Sequence, residues 1–166
     1  ATHLSDPGCM DTQVCAGCQG LGNDQDLLDV ANSVPPLIGQ TFSVSSVNDL
    51  CILEFDFEAG GDSISFNYVF GSDEYLQWVN STYNDIFAFF LSGPGITGPY
   101  DAPMGFPDGA INIASVPDSD PLLPVTISSV NNVTNAAYYI DNQTNNGICI
   151  NGYTETFTAS ASVQCG

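Results

Sequence analysis

The chain has 166 residues and a formal net charge of −19, with nineteen acidic side chains, one histidine and no lysine or arginine. A chain without basic side chains cannot provide a nucleic-acid surface, a phosphate-binding lysine or a Schiff-base lysine. Its hydrophobic content of 43% is nevertheless enough to bury a core, which excludes a disordered acidic tail. The length suits one domain and no apolar run is long enough to span a membrane, so we predict a single domain over residues 1–166 without membrane insertion.

The cysteines form an even set, which predicts disulfides and an oxidising compartment. The six positions are Cys9, Cys15, Cys18, Cys51, Cys149 and Cys165. The sequence does not choose among their pairings. The spacing Cys15-Ala-Gly-Cys18 also suits a zinc knuckle, but a closed zinc site needs four ligands and no second pair of this kind follows. We therefore favour disulfides.

The first forty residues are rich in cysteine, glycine and proline, which predicts a loop-rich entry segment over residues 1–40. One short helix is expected from about residue 24 to 31, with Asn23 as its cap. From residue 41 the hydrophobic period changes to two, which is typical of strands with one buried face. We predict that residues 41–166 form the body of the domain.

Three strands are predicted in the first half of this body. Alternation places Cys51, Leu53, Phe55 and Phe57 on the buried face of a strand at 51–58, and Ile64, Phe66, Tyr68 and Phe70 on that of a strand at 63–70. Residues 86–91 are too apolar for a half-exposed strand, which predicts a central strand covered on both faces.

A long loop rich in glycine and proline at residues 93–109 separates these strands from shorter ones. The shorter strands are expected near 110–116, 125–130 and 137–140. Asn151-Gly152 is a hairpin signal between 148–150 and 153–163, where Phe157, Ala159, Ala161 and Val163 face inward. The pattern predicts an all-β fold, an antiparallel β-sandwich that is jelly-roll-like, with one short helix and long Gly/Pro loops.

The segment between the strands at 63–70 and 86–91 holds the candidate metal site. If those strands pair as a hairpin, four oxygen-bearing side chains emerge together: Asp73, Glu74, Asn84 and Asp85. Ca²⁺ prefers hard oxygen ligands, and converging carboxylates without an internal cation would have raised pKa values. We predict calcium at this loop; the alternative is that these acids are solvated loop residues.

The same segment carries three aromatic residues, Tyr75, Trp78 and Tyr83. They could form a glycan-binding or partner-binding patch, or a hydrophobic lid at the end of the sandwich. The helical spacing of Tyr75, Trp78 and Val79 favours the lid.

Three N-x-S/T triplets begin at Asn80, Asn132 and Asn142. They carry sugar only in a host that glycosylates them, and asparagine-rich loops are the simpler interpretation. Paired carboxylates could also act in glycoside hydrolysis, but neither Glu54/Asp56 nor Asp73/Glu74 lies beside an aromatic groove signature. We predict that the protein is not an enzyme.

Two motifs resemble those of a known bacterial family. They are Phe66-Asn-Tyr-Val-Phe-Gly-Ser-Asp-Glu-Tyr75 and Phe87-Ala-Phe-Phe-Leu-Ser-Gly-Pro-Gly95, with Tyr83-Asn-Asp85 between them. From about residue 48 to 166 the chain resembles the choice-of-anchor L surface domain, whereas the cysteine-rich front at 8–22 is not part of the resemblance. The resemblance implies a secreted, β-rich module held at the bacterial cell surface, and it supplies no catalytic residues.

Relatives in this family extend beyond both ends of the present sequence. We therefore expect either that the 166 residues belong to a longer polypeptide or that a neighbour supplies the missing strands by strand complementation. We predict a structural or adhesive subunit of an extracellular surface assembly or filament, stabilised by disulfides and calcium. Its partners would be other copies of itself or another surface protein. The alternative is a calcium-dependent carbohydrate-binding module.

Overall fold

The structure is a computed structural model that describes residues 24–48, 50–144, 148 and 150–164. In these residues, strands arranged in small antiparallel sheets accompany one α-helix, which confirms the predicted all-β class. The strands are β1 (Ser63–Tyr68), β2 (Gly71–Ser72), β3 (Ile86–Phe87), β4 (Phe90–Leu91), β5 (Ile111–Asn112), β6 (Val125–Thr126), β7 (Tyr139–Asp141), β8 (Gly152–Thr154) and β9 (Phe157–Ser162). They form the sheets β1-β9, β2-β8-β7, β3-β6 and β4-β5. A jelly-roll sandwich remains a prediction.

The helix α1 (Gln25–Leu37) is longer than the predicted 24–31 and begins at a different cap. Its N-cap is Asp24, whose carboxylate accepts a hydrogen bond of 2.9 Å from the N–H of Leu27. Pro35-Pro36 would ordinarily end or kink a helix, because proline lacks an N–H and its ring clashes with the preceding turn. The helix instead continues through both prolines, and the buried Val34 keeps its last turn against the core.

The longest sheet joins two distant parts of the sequence. In β1-β9, Ile64 lies opposite Ala161, Phe66 opposite Ala159 and Tyr68 opposite Phe157. The predicted inward faces of both strands are confirmed, because exposed and more buried residues alternate along each. The predicted hairpin between 63–70 and 86–91 is wrong, since β1 pairs with β9.

Residues 86–91 do not form the predicted central strand. The segment divides into β3 and β4, which belong to different sheets, and its residues before Leu91 are only half-buried. Between them, the N–H of Phe89 donates to the side-chain oxygen of Asn112 (3.0 Å). Asn112 thus takes the place of a backbone partner at the break.

The predicted hairpin at Asn151-Gly152 is also wrong. Strand β8, which begins at Gly152, lies between β7 and β2, and Ile140 faces Tyr153 across the first of these pairs. The N–H of Asn151 donates to the carbonyl of Ser72 (3.0 Å). A residue expected at a turn tip therefore connects two strands.

The predicted strand at residues 51–58 is absent from the structure. The segment has no strand assignment and every one of its residues is exposed, including Leu53, Phe55 and Phe57. The alternation of apolar and polar residues is typical of a strand. A strand also needs a hydrogen-bonded backbone partner, and the described chain supplies none for residues 51–58.

The core is one cluster to which α1 contributes Val34, β6 contributes Val125 and β9 contributes Phe157. Its buried members are Val34, Phe70, Tyr75, Val116, Leu123, Val125, Ile127, Val130 and Phe157. Within the described ranges, no helix has both the length and the apolarity needed to cross a membrane.

Candidate functional site

The two ends of the predicted calcium loop do meet, although the strands that were expected to bring them together do not pair. Ser72 is in β2 and Asp85 directly precedes β3. The hydroxyl of Ser72 donates a hydrogen bond of 2.6 Å to Oδ2 of Asp85. Pairing of β2 with β8 and of β3 with β6 fixes these two positions independently.

The hydroxyl of Ser72 also organises the next residues. It is buried, and it accepts a hydrogen bond of 2.9 Å from the N–H of Glu74. The same oxygen therefore links the carboxylate of Asp85 to the backbone of Glu74. We call Ser72, Glu74, Asn84 and Asp85 the carboxylate site.

Glu74 has an unusual protonation equilibrium. Burial, followed by the negative charges of Asp85 and Asp73 and a hydrogen bond to Asp85, raises its pKa from 4.5 to about 7. A carboxyl group with this pKa is half protonated near neutral pH. Ionising Glu74 beside the negative charge of Asp85 is unfavourable, because like charges that lie close together repel. The site can relieve this repulsion by binding either a proton or a cation.

Asn84 is the second unusual member of the site. Its side chain is only 8% exposed, and neither its amide nitrogen nor its amide oxygen has a hydrogen-bond partner in the described chain. Oε2 of Glu74 is buried without a partner as well. Buried polar atoms of this kind call for a partner from outside the chain, such as water or an ion.

The predicted ligands are brought together only in part. Among the described residues, no three His, Cys, Asp or Glu side chains form a cluster that could hold a metal. Asp73 is near enough for its charge to raise the pKa of Glu74, while its carbonyl accepts a hydrogen bond from the side chain of Asn151. A cation here would therefore be held by two carboxylates, with neutral oxygens and water as the remaining ligands.

Two residues that support the loop were missed by the sequence analysis. Nε2 of Gln143 donates to the carbonyls of Tyr75 (2.8 Å) and Asn151 (3.1 Å). Gln143 and Asn151 thereby hold residues 73–75 from positions 68 and 78 residues later in the chain. No local pattern signals such a contact, because only the sheet β2-β8-β7 brings the segments together.

The predicted aromatic patch separates into one buried and two exposed residues. Tyr75 is 1% exposed and its ring lies against those of Phe70 and Tyr139, with centroid distances of 6.3 and 4.9 Å. Trp78 and Tyr83 are exposed and pack edge to face at 4.9 Å. Tyr75 therefore belongs to the buried core, whereas Trp78 and Tyr83 form a smaller surface pair, and the lid remains a prediction.

The asparagines of the three triplets differ in accessibility. Asn80 and Asn132 are exposed. Asn142 is buried, and its amide nitrogen donates to the carbonyls of Ile148 (3.2 Å) and Ile150 (2.6 Å). Modification remains a prediction, and only the first two side chains are accessible in the folded chain.

The disulfide prediction concerns mostly residues that the structure does not describe. In the described ranges the one cysteine is Cys51, and its thiol is free and exposed. The other five, which are Cys9, Cys15, Cys18, Cys149 and Cys165, lie outside the described residues. The disulfides therefore remain a prediction.

Comparison with known proteins identifies a family but no individual relative. The family model described as Choice-of-anchor L domain matches residues 4–166. No curated protein and no solved structure matches the chain. The match includes the cysteine-rich front, so the resemblance seen from about residue 48 was drawn too short. Because it covers nearly the whole sequence, the chain belongs to the Choice-of-anchor L domain family of secreted or cell-surface modules.

Proposed function

We propose that this domain is a structural or adhesive module of an extracellular bacterial surface assembly, and that calcium at the carboxylate site stabilises it. Disulfides among the cysteines outside the described residues would add to this stability in an oxidising environment. The observation that carries the proposal is the contact between Glu74 and Asp85 in a chain that has no lysine or arginine to neutralise them.

Asp85 lies close enough to Glu74 for its charge to raise the pKa of Glu74, and the chain contains no lysine or arginine that could neutralise the two carboxylates. The amide of Asn84, which precedes Asp85 in the sequence, is buried. Ca²⁺ binds six to eight oxygen ligands and accepts carboxylates, amide carbonyls, hydroxyls and water. Burial is the main cause of the raised pKa of Glu74, and the charges of Asp85 and Asp73 add to it. Binding a divalent cation would offset these negative charges and would thereby favour the folded state.

Repulsion between negative charges also acts between molecules. Copies with a net charge of −19 repel one another, so a compact assembly of them needs cations between or within its subunits. Among the described residues, β1 and β9 pair only with each other, which leaves one edge of each strand open. Open edges are the feature on which strand complementation depends.

The test is assembly of the purified domain with and without calcium. Sedimentation velocity and negative-stain electron microscopy would follow particles in low-salt buffer containing either Ca²⁺ or EDTA, and intact mass without reductant would count the disulfides. We expect regular multimers or fibres that require calcium. Dispersed monomers under both conditions, from a protein with its disulfides formed, would refute the assembly role.

Carbohydrate binding is the second candidate, and the exposed Trp78–Tyr83 pair favours it. Aromatic rings at a surface can stack on sugars, and this pair lies in the sequence between Glu74 and Asn84 of the carboxylate site. A glycan array would show saturable binding that EDTA abolishes and Trp78→Ala weakens. Met104→Ala, a change at another exposed apolar side chain, is the matched control. Equal effects of the two changes would exclude the pair as a sugar site.

A further inference from the structure

The segment at residues 51–58 is unusual because it has the pattern of a strand without the bonds of one. Apolar Leu53, Phe55 and Phe57 alternate with acidic residues. The acidic residues are Glu54, Asp56 and Glu58. None of its backbone groups forms a backbone hydrogen bond to the described part of the chain. Leu53 is 86% exposed, and both phenylalanines are exposed as well. A run with this pattern and an unbonded backbone is an open template for another strand.

The position of the segment relative to the core is fixed by aromatic contacts. The ring of Phe55 packs edge to face on Phe66 of β1 at a centroid distance of 6.3 Å. Phe66 in turn stacks on Phe89 at 5.1 Å. Phe57 lies 6.4 Å from Phe55. The segment is therefore held against the body of the domain by side chains, while its backbone donors and acceptors stay available.

The charges of the segment decide what could pair with it. Glu54, Asp56 and Glu58 repeat at every second position, and the chain contains no lysine or arginine to face them. A second copy of the chain would bring further acids and its own charge of −19, and like charges directly opposite each other destabilise a strand pair. A strand with basic residues at alternate positions would instead place opposite charges across the pair.

We propose that residues 51–58 form the docking site for an extended strand of another protein, in which apolar residues alternate with lysine or arginine. The partner adds to the segment by backbone hydrogen bonds, which provide affinity, while its basic side chains face the acidic residues and provide selectivity. Its apolar side chains cover the exposed leucine and phenylalanines. This inference rests on the proposed surface role and adds the chemistry of one partner to it.

The experiment uses short synthetic peptides as probes and the whole domain as the receptor. Fluorescence anisotropy would compare a peptide of alternating valine and lysine with a peptide of the same composition in scrambled order. A third peptide of alternating valine and glutamate tests the charge. We expect binding of the first peptide, at least several-fold weaker binding of the scrambled one and none of the acidic one.

A matched pair of triple variants locates the binding site. Glu54→Gln, Asp56→Asn and Glu58→Gln together should weaken the alternating basic peptide roughly ten-fold, on the basis of three cross-strand charge pairs. The control combines Asp108→Asn, Asp118→Asn and Asp120→Asn, which removes the same charge from exposed positions elsewhere. The control should reduce binding less than two-fold. Circular dichroism would verify that both variants fold.

Several results would overturn the proposal. Equal binding of the ordered and scrambled peptides, or equal losses in the two triple variants, would mean attraction to the overall charge only. Absence of binding to any peptide would refute the docking site. A dimer of the domain alone that Leu53→Ser abolishes would make a second copy the occupant. These outcomes leave calcium-dependent assembly unaffected, because that measurement uses the unaltered domain without peptide.

Discussion

The turn at residues 124–135 and the carboxylate site both bury polar side chains, but only the turn pairs them within the chain. Asn131 is almost fully buried; its amide donates to the carbonyls of Ile127 and Ser128 and accepts from the N–H groups of Val133 and Thr134. At the carboxylate site, both amide atoms of Asn84 and one oxygen of Glu74 have no such partner in the described residues.

The difference separates two uses of a buried polar group. A buried amide with all its partners in the same turn fixes a local conformation and needs nothing else. A buried amide and carboxyl without partners destabilise the chain until water, a proton or an ion binds. We therefore regard residues 124–135 as structural and the carboxylate site as a binding site.

The largest expected effect concerns the turn. Asn131→Ala should lower the free energy of unfolding by about 2–4 kcal/mol, because the four hydrogen bonds of the amide are lost and buried carbonyls stay unpaired. Urea unfolding followed by circular dichroism would measure it. Asn132→Ala, at the exposed neighbouring residue, should change stability by less than about 0.5 kcal/mol. Equal effects would remove the contrast between the two regions.

The next effect concerns the pH dependence of the metal-free domain. The pKa of Glu74 is raised to about 7 in the folded state, so the folded state holds the proton more tightly than the unfolded state. The resulting stability is complete below about pH 4.5 and is lost as the pH rises through about 7. Because Glu74 is only half-buried, solvent screening should limit the loss to roughly 1–2 kcal/mol.

Thermal unfolding of the wild type and Glu74→Gln in EDTA would isolate this contribution. The variant cannot titrate at this position and should lack the additional slope between pH 4.5 and 7, whereas the exposed-site control Glu54→Gln should keep it. Parallel curves for the wild type and Glu74→Gln would show that the protonation of Glu74 does not contribute to stability.

The smallest expected effect concerns Ser72. Ser72→Ala removes the hydrogen bonds to Asp85 and from the N–H of Glu74, and should cost about 1 kcal/mol in unfolding free energy. Ser160→Ala, at an exposed position of β9, is the control and should be close to neutral. If the two serines behave alike, Ser72 does not organise the carboxylate site.

The parts of the fold that the sequence predicted correctly are those that local alternation determines. The buried faces of β1 and β9 follow from residues two positions apart, such as Phe66 and Tyr68 or Phe157 and Ala159. Which strands pair is a non-local question. Both 51–58 and 63–70 show strand periodicity, yet only the second has a partner, in a segment about ninety positions later.

The candidate site was predicted in part for the same reason. The sequence predicts that Asp73, Glu74, Asn84 and Asp85 converge with raised carboxyl pKa values; in the structure the pKa of Glu74 is raised by burial and then by the charges of Asp85 and Asp73. The contact that joins the two ends of the loop differs from the predicted one. It is a hydrogen bond from Ser72 to Asp85, and not a hairpin. The support from Gln143 could not be predicted, since it depends on the order of strands in a sheet.

A calorimetric titration of the metal-free domain with Ca²⁺ tests the central claim most directly. We predict saturable binding at one site and a stabilisation of about 2.7 kcal/mol when free Ca²⁺ is a hundred times its dissociation constant. Glu74→Gln and Asp85→Asn should each abolish the binding, while Asp108→Asn should preserve it. No heat of binding and identical melting curves in Ca²⁺ and EDTA would contradict the account.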